Sequence, residues 1–294
     1  MRDLARRLAR VDFYVRSSAC QALPGRRRSR FRGAGLELDK ITGYELGDDP
    51  RWINWSATAR TGGTRVLKNS LIEERQLQVV LAVDLSGSME FGTTRASKRE
   101  VAAEVAAVIA HVAWRAGDAV GFVGYASRIE RAWPPRRSPR DRFLIPATIL
   151  GLRAGGRAEG APGLAHLPRA RSLVFVLSDF QDDPAVLGPA VIAAARRHDV
   201  VPVIIEDPRE RSLAEGPALV RVRDLETGAH RSIWLGRSGG EAWRRGLERR
   251  DAELAALFRR AGVEPLRVDP TRDPLLEIAV YFLRRRARAR CGAG

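Results

Sequence analysis

Two kinds of apolar run alternate along the chain, and their order predicts the architecture. Short uncharged runs rich in Val, Leu and Ile recur at 76–83, 119–125, 172–177 and 200–205. Continuous runs of that length suit strands buried on both faces of a parallel sheet. Helical stripes lie between them. Ser97-Lys98-Arg99-Glu100 matches a capping box, and Val101, Val105, Val108, Ile109 and Val112 follow at helical spacing, which predicts a helix to about Arg115 that Gly117 ends. Further helices are predicted over 142–152, near Leu164, from Asp182 or Asp183 through Pro184 to His198, over 240–260 and over 275–288. Ile129–Trp133 reads as an edge strand before Pro134-Pro135, and 264–268 as a short strand. The segment 217–235 alternates around Thr227-Gly228 and reads as a hairpin. Strand–helix–strand order implies right-handed parallel crossovers, so the fold class is α/β, an open, mainly parallel, Rossmann-like sheet flanked by helices.

The first part of the chain follows a different pattern. Leu4, Leu8, Val11 and Val15 form a helical stripe over 3–16, so 1–25 is read as an N-terminal docking helix. Residues 26–75 lack long periodicity and are rich in Gly, Asp, Thr and Trp, as short strands and turns would be. They are read as a small β-rich lobe joined by the hairpin from 206–236, packed on buried indoles at Trp52 and Trp55 and on Asp–Arg pairs involving Asp48 and Asp49. Residues 76–280 then form the main α/β domain and 281–294 a basic tail.

The chemistry lies where the strands stop. The run at 76–83 ends at Asp84, with Ser86 and Ser88 at alternate positions after it, so one carboxylate and two hydroxyls can turn to a common point. Hard oxygen donors of that kind are what Mg²⁺ requires. The run at 172–177 is likewise followed by Ser178-Asp179. Acids at two strand ends are expected at the carboxyl edge of an open α/β sheet, where crevices form.

The D-x-S-x-S spacing after an apolar strand resembles the metal-ion-dependent adhesion site of von Willebrand factor A domains. More widely, GRRRSRFRGAGLELDKITGYELGDDPRWINWSATARTG followed by IEERQLQVVLAVDLSGSMEFG resembles the signature of the bacterial domain-of-unknown-function family fifty-eight. The family's members carry a von Willebrand factor A-like domain and are typically encoded beside MoxR-type AAA+ ATPases. Asn54, Thr42 and Leu46 stand where the family usually has Asp, Arg and Pro. The resemblance implies a metal site at Asp84, Ser86, Ser88 and Asp179 for Mg²⁺ or Mn²⁺, completed by a Thr from a second loop. No hydroxyl occurs between Gly151 and Arg171, and Arg157 follows Gly155-Gly156 where that Thr would fall, leaving water or Glu159 as substitute. It further implies a non-enzymatic protein-interaction module that works with a MoxR-type AAA+ ATPase and a client protein in chaperone-like assembly or maturation of a complex. The alternatives are a metal-assisted phosphate-ester hydrolase and a basic adaptor for nucleic acid or anionic lipid.

Charge narrows these alternatives. The net charge of +16 is concentrated at the ends: residues 1–32 carry ten Arg against Asp3 and Asp12, and 281–294 carry five Arg and no acid. Neither end interleaves aromatics with Arg as a base-stacking platform would, which counts against nucleic-acid binding. Catalytic signatures are missing as well: there is no G-x-S-x-G elbow, no phosphate loop and no G-x-G-x-x-G after a strand. His111, His166, His198 and His230 are dispersed. Cys20 and Cys291 suit neither a disulfide framework nor a thiolate metal site. No apolar run reaches the about 18 residues that span a bilayer, and 1–15 lacks the apolar core of a signal peptide. A cytoplasmic location is therefore expected.

Overall fold

A computed structural model describes residues 36–45, 48–62, 64–73, 77–93, 96–152, 160–211, 218–223, 230–235, 237–274 and 276–281. By internal contacts the chain divides into a small unit, Gly25–Gln76, and a larger one holding the remainder. The helix expected over 3–16 and the tail beyond 281 lie outside the described residues.

In the small unit, β1 (Leu36–Gly43) pairs antiparallel with β2 (Leu67–Glu73). Between them a 3₁₀ turn at Pro50–Trp52 leads into a short helix, α1 (Trp55–Arg60), where the sequence predicts short strands and turns. The Asn54 side chain accepts from the Ala57 N–H and caps α1, while its Nδ2 donates to Asn69 Oδ1 at 2.8 Å. The indoles are not the buried pins of the sequence reading, since Trp52 is 39% and Trp55 69% exposed. Of the expected Asp–Arg pairs, Asp49 forms an exposed fork with Arg51, while Asp48 pairs with Lys68.

The larger unit is built on a six-stranded sheet. Its strands are β3 (Gln78–Asp84), β4 (Ala119–Tyr125), β5 (Ile129–Arg136), β6 (Leu173–Ser178), β7 (Asp199–Ile205) and, after a separate hairpin of β8 (Ala218–Arg223) and β9 (His230–Leu235), β10 (Leu266–Val268). The spatial order is β10-β7-β6-β3-β4-β5, parallel throughout except for β5, which runs antiparallel along the edge. β5 continues through Pro134 and Pro135 to Arg136 instead of stopping before them. An edge strand has one side without a ladder partner, so missing N–H donors are tolerated there. The β8–β9 pair, which the sequence reading assigns to the small lobe, is grouped by its contacts with the larger unit. Period-two alternation reveals pairing but not the surface beneath it.

Successive side chains of a strand point to opposite faces, and both faces of this sheet are covered. Val79, Leu81 and Val83 of β3 pack in one cluster with Val101, Val105 and Ile109 of α2 (Lys98–Arg115) and Ile145 and Ile149 of α3 (Asp141–Gly151). Val80 and Ala82 pack in the other with Leu187 and Val191 of α4 (Pro184–Arg197) and Leu254, Leu257 and Phe258 of a long helix, Arg237–Ala261. α2 begins in the full capping box, with Ser97 accepting from the Glu100 N–H and Glu100 reaching back to the Ser97 N–H. Gly117 ends it with φ +81°, a conformation glycine adopts without a Cβ clash. Residues 276–281 are helical, and Tyr281 donates to the Glu264 carbonyl.

The topology brings two strand ends together. β3 connects through α2 to β4 on one side, whereas β6 connects through α4 to β7 on the other. The carboxyl ends of β3 and β6 therefore lie side by side at the point where the winding reverses, the usual location of sites in such sheets.

Candidate functional site

Asp84 is the last residue of β3 and Asp179 follows the last residue of β6. Because these strands are parallel neighbours with Val83 opposite Leu177, both acids reach the same rim. Asp84 Oδ1 accepts from the Ser86 N–H at 2.8 Å and Oδ2 from the Ser178 hydroxyl at 2.7 Å. The Ser86 and Ser88 hydroxyls share a 3.0 Å hydrogen bond. Asp84, Ser86 and Asp179 are buried and Ser88 is half-buried.

Burial, and after it the nearby charge of Asp179, pushes the Asp84 carboxyl up to about 7 against the hydrogen bonds from Ser178 and Ser86. Two carboxylates in a dry rim disfavour joint ionisation unless a positive charge lies between or beside them. The structure supplies one that the sequence reading had treated as part of a helix cap. The Lys98 ammonium, 1% exposed, donates to Asp179 Oδ2 at 2.6 Å and to Glu210 Oε1 at 2.6 Å. Burial alone would lower the ammonium, but the charges and hydrogen bonds of Asp179 and Glu210 outweigh it and hold it above its ordinary value.

Neighbouring residues fix the loops. Arg99 donates to the Leu85 carbonyl at 2.9 Å and to the Leu152 carbonyl at 2.7 Å, and pairs with Glu90; its planar fork thus clamps the loop after β3. Phe180 takes a left-handed φ of +50° directly after Asp179, with its ring edge-on to Phe258. Arg250 donates to the Phe180 carbonyl from the long helix. A non-glycine residue held at positive φ is costly unless its surroundings enforce it, and here a buried ring and a guanidinium do so. Thr93 donates through its N–H and hydroxyl to Asp207, just beyond β7.

Among the described residues no three His, Cys, Asp or Glu side chains form a group able to hold a metal ion. A cation here would depend on the serine hydroxyls together with Asp84. That oxygen-only set fits a hard divalent ion. Asp179 already holds Lys98 on Oδ2 and the Gln181 N–H, at 3.2 Å, on Oδ1, so an ion it joined would share the carboxylate with the ammonium. Arg157 and Glu159, weighed as neighbours of the site, lie outside the described residues.

Of the sequence-derived candidates, the structure brings Asp84, Ser86 and Ser88 together through hydrogen bonds and places Asp179 on the adjacent strand end. The sequence reading missed Lys98, Arg99, Ser178 and Glu210. Composition carried a signal for Lys98: only Lys40, Lys68 and Lys98 interrupt a set of 48 Arg, and Lys68 and Lys98 both engage acids.

Solved structures similar in shape include the aerotolerance-related membrane protein from Bacteroides fragilis, at TM-score 0.44 and 15% identity over 71% of this chain and 99% of that one. Another is the SpRpn10 VWA domain, at TM-score 0.41 and 12% identity over 70% and 94%. Curated relatives include the uncharacterized proteins Mb1516 of Mycobacterium bovis and Rv1480 of Mycobacterium tuberculosis, each 28% identical over 98% of this chain and 92% of its own length. The family described as "Protein of unknown function DUF58" matches residues 41–254, and the chain belongs to that family.

Proposed function

We propose that this protein is a non-enzymatic interaction module whose binding site is the rim formed by Asp84, Ser86, Ser88 and Asp179. The reading rests on one observation: at the point where the winding reverses, two adjacent parallel strands end in acids beside a pair of serine hydroxyls 3.0 Å apart. Asp84, Ser86, Ser88 and Asp179 would hold Mg²⁺ or Mn²⁺. A bound ion of this kind offers an open coordination position to a carboxylate of a partner protein. The chain's own residues do the rest: Ser178 and the Ser86 N–H orient Asp84, while Arg99 holds the loop.

Binding is favoured over catalysis because the Asp84 oxygens are engaged by Ser86 and Ser178 and Asp179 by Lys98, which leaves neither acid as a free nucleophile. Following the family resemblance, the partner is a MoxR-type AAA+ ATPase acting with a client protein in the assembly or maturation of a complex, in the cytoplasm. No helix among the described residues is long and apolar enough to cross a membrane.

The test is capture of a MoxR-type AAA+ ATPase from the same organism on immobilised protein. Capture is expected with Mg²⁺ and is expected to be lost with EDTA and in Asp84→Asn, which keeps one of the two acceptor oxygens but removes the charge. Capture that survives both, with the variant's circular dichroism unchanged, would count against the reading.

A further inference from the structure

The Lys98–Asp179–Glu210 arrangement goes beyond a cation site on the first loop. The Nζ of Lys98 lies 2.6 Å from one oxygen of each acid, and all three groups belong to different elements: the first turn of α2, the end of β6 and the short helix Pro208–Arg211. Lys98 and Asp179 are almost wholly buried, whereas the Glu210 side chain keeps 21% of its surface. The ammonium thus has an inner seat on Asp179 and an outer, partly wet seat on Glu210. Lysine suits such a place: it is a compact point charge on a flexible stem, free to shift between two acids.

We propose that Lys98 is an internal cation that competes with a divalent ion for Asp179, and that Glu210 is the seat to which its ammonium retires when such an ion binds. The proposal rests on the reading of Asp84, Ser86 and Ser88 as a cation site. A positive charge beside Asp179 opposes entry of a second one, and the opposition is strong where water is scarce. Lys98 and Glu210 are positioning residues in this scheme. They set how tightly an ion is held without ligating it themselves.

The scheme assigns opposite signs to two substitutions, measured by isothermal calorimetry with MgCl₂ on the full chain. Lys98→Gln removes the charge but keeps an amide able to donate to Asp179, and is expected to tighten Mg²⁺ binding at least about tenfold. Glu210→Gln leaves the ammonium only Asp179, and is expected to weaken binding about threefold or more. In the double variant the Glu210 change is expected to have no further effect, because its influence passes through Lys98.

Equal or weaker affinity in folded Lys98→Gln overturns the proposal. If wild type binds Mg²⁺ and Lys98→Gln gains nothing, the cation site stands and the competitor falls. If neither binds, both fall. If only Lys98→Gln binds, the competitor stands and a resident ion in the natural protein is excluded. Should Lys98→Gln fail to fold, Glu210→Gln decides, with wild-type behaviour in that variant counting against the proposal.

Discussion

At the level of single residues, charge burial is the recurring theme, and Asp118 shows it away from the candidate site. This acid immediately precedes β4 at the opposite rim of the sheet, is 5% exposed and accepts from the Leu77 N–H at 3.1 Å. Burial raises its carboxyl from 3.8 to about 6, and the Leu77 hydrogen bond and the Arg137 charge only partly counter this. Between those two pH values the unfolded chain has lost the proton and the folded one has kept it, so the folded state binds more protons and stability falls as pH rises. The contribution is fully present below about pH 4 and gone above about pH 6. Asp118→Asn keeps the acceptor without the charge. It is expected to stabilise the protein by about 1–3 kcal/mol at pH 8 and to have little effect at pH 4, as urea unfolding at the two pH values would show. A uniform gain at both would mean that the charge is not the cause.

Among the elements, what the sequence made legible were features that a local pattern dictates. The four buried strands, the Ser97–Glu100 box and the acid at each of two strand ends all follow from runs of a few residues, and the structure has them. What escaped depends on neighbours remote in sequence. Lys98 and Arg99 sit in a helix's first turn, where charged residues are usually solvated; they are buried because β6 and the loop after β3 close over them. α1 has too few residues to display a helical period, and only Asn54 betrayed its start. That β6 lies against β3, opposite β4, is a matter of strand order that no single run encodes. One short element shows how tightly this order is enforced. The 3₁₀ turn Pro162–His166 places Gly163 against Tyr125, the residue paired with Asp84 across β3 and β4. A Cβ at Gly163 would overlap the near atoms of the Tyr125 ring, which is fully buried and has no room to yield. Gly163→Ala is therefore expected to lower stability by about 1–3 kcal/mol in denaturant unfolding, the usual range for overpacking. A neutral outcome would mean that the turn shifts freely.

For the molecule as a whole, the distribution of charge separates two ways of binding. The core fold carries its acids and bases nearly in balance, while an excess of arginine lies at the chain ends, with five Arg and no acid in 281–294. A polyanion or an anionic lipid surface would be attracted to such ends in a manner that fades with salt, since each contact releases counterions. Recognition at the Asp84 rim would instead depend on a few oxygen ligands and respond to chelator. Deleting 282–294 tests the division and keeps Tyr281, with its buried ring and its hydrogen bond to the Glu264 carbonyl. The deletion is expected to elute earlier from heparin and to leave Mg²⁺-dependent capture of the AAA+ ATPase unchanged. If capture fell with the tail while Asp84→Asn left it intact, the arginines would be the binding surface and the rim would not. The opposite pattern, a tail without effect and a rim that chelator silences, is what a metal-assisted grip by the sheet's carboxyl edge requires.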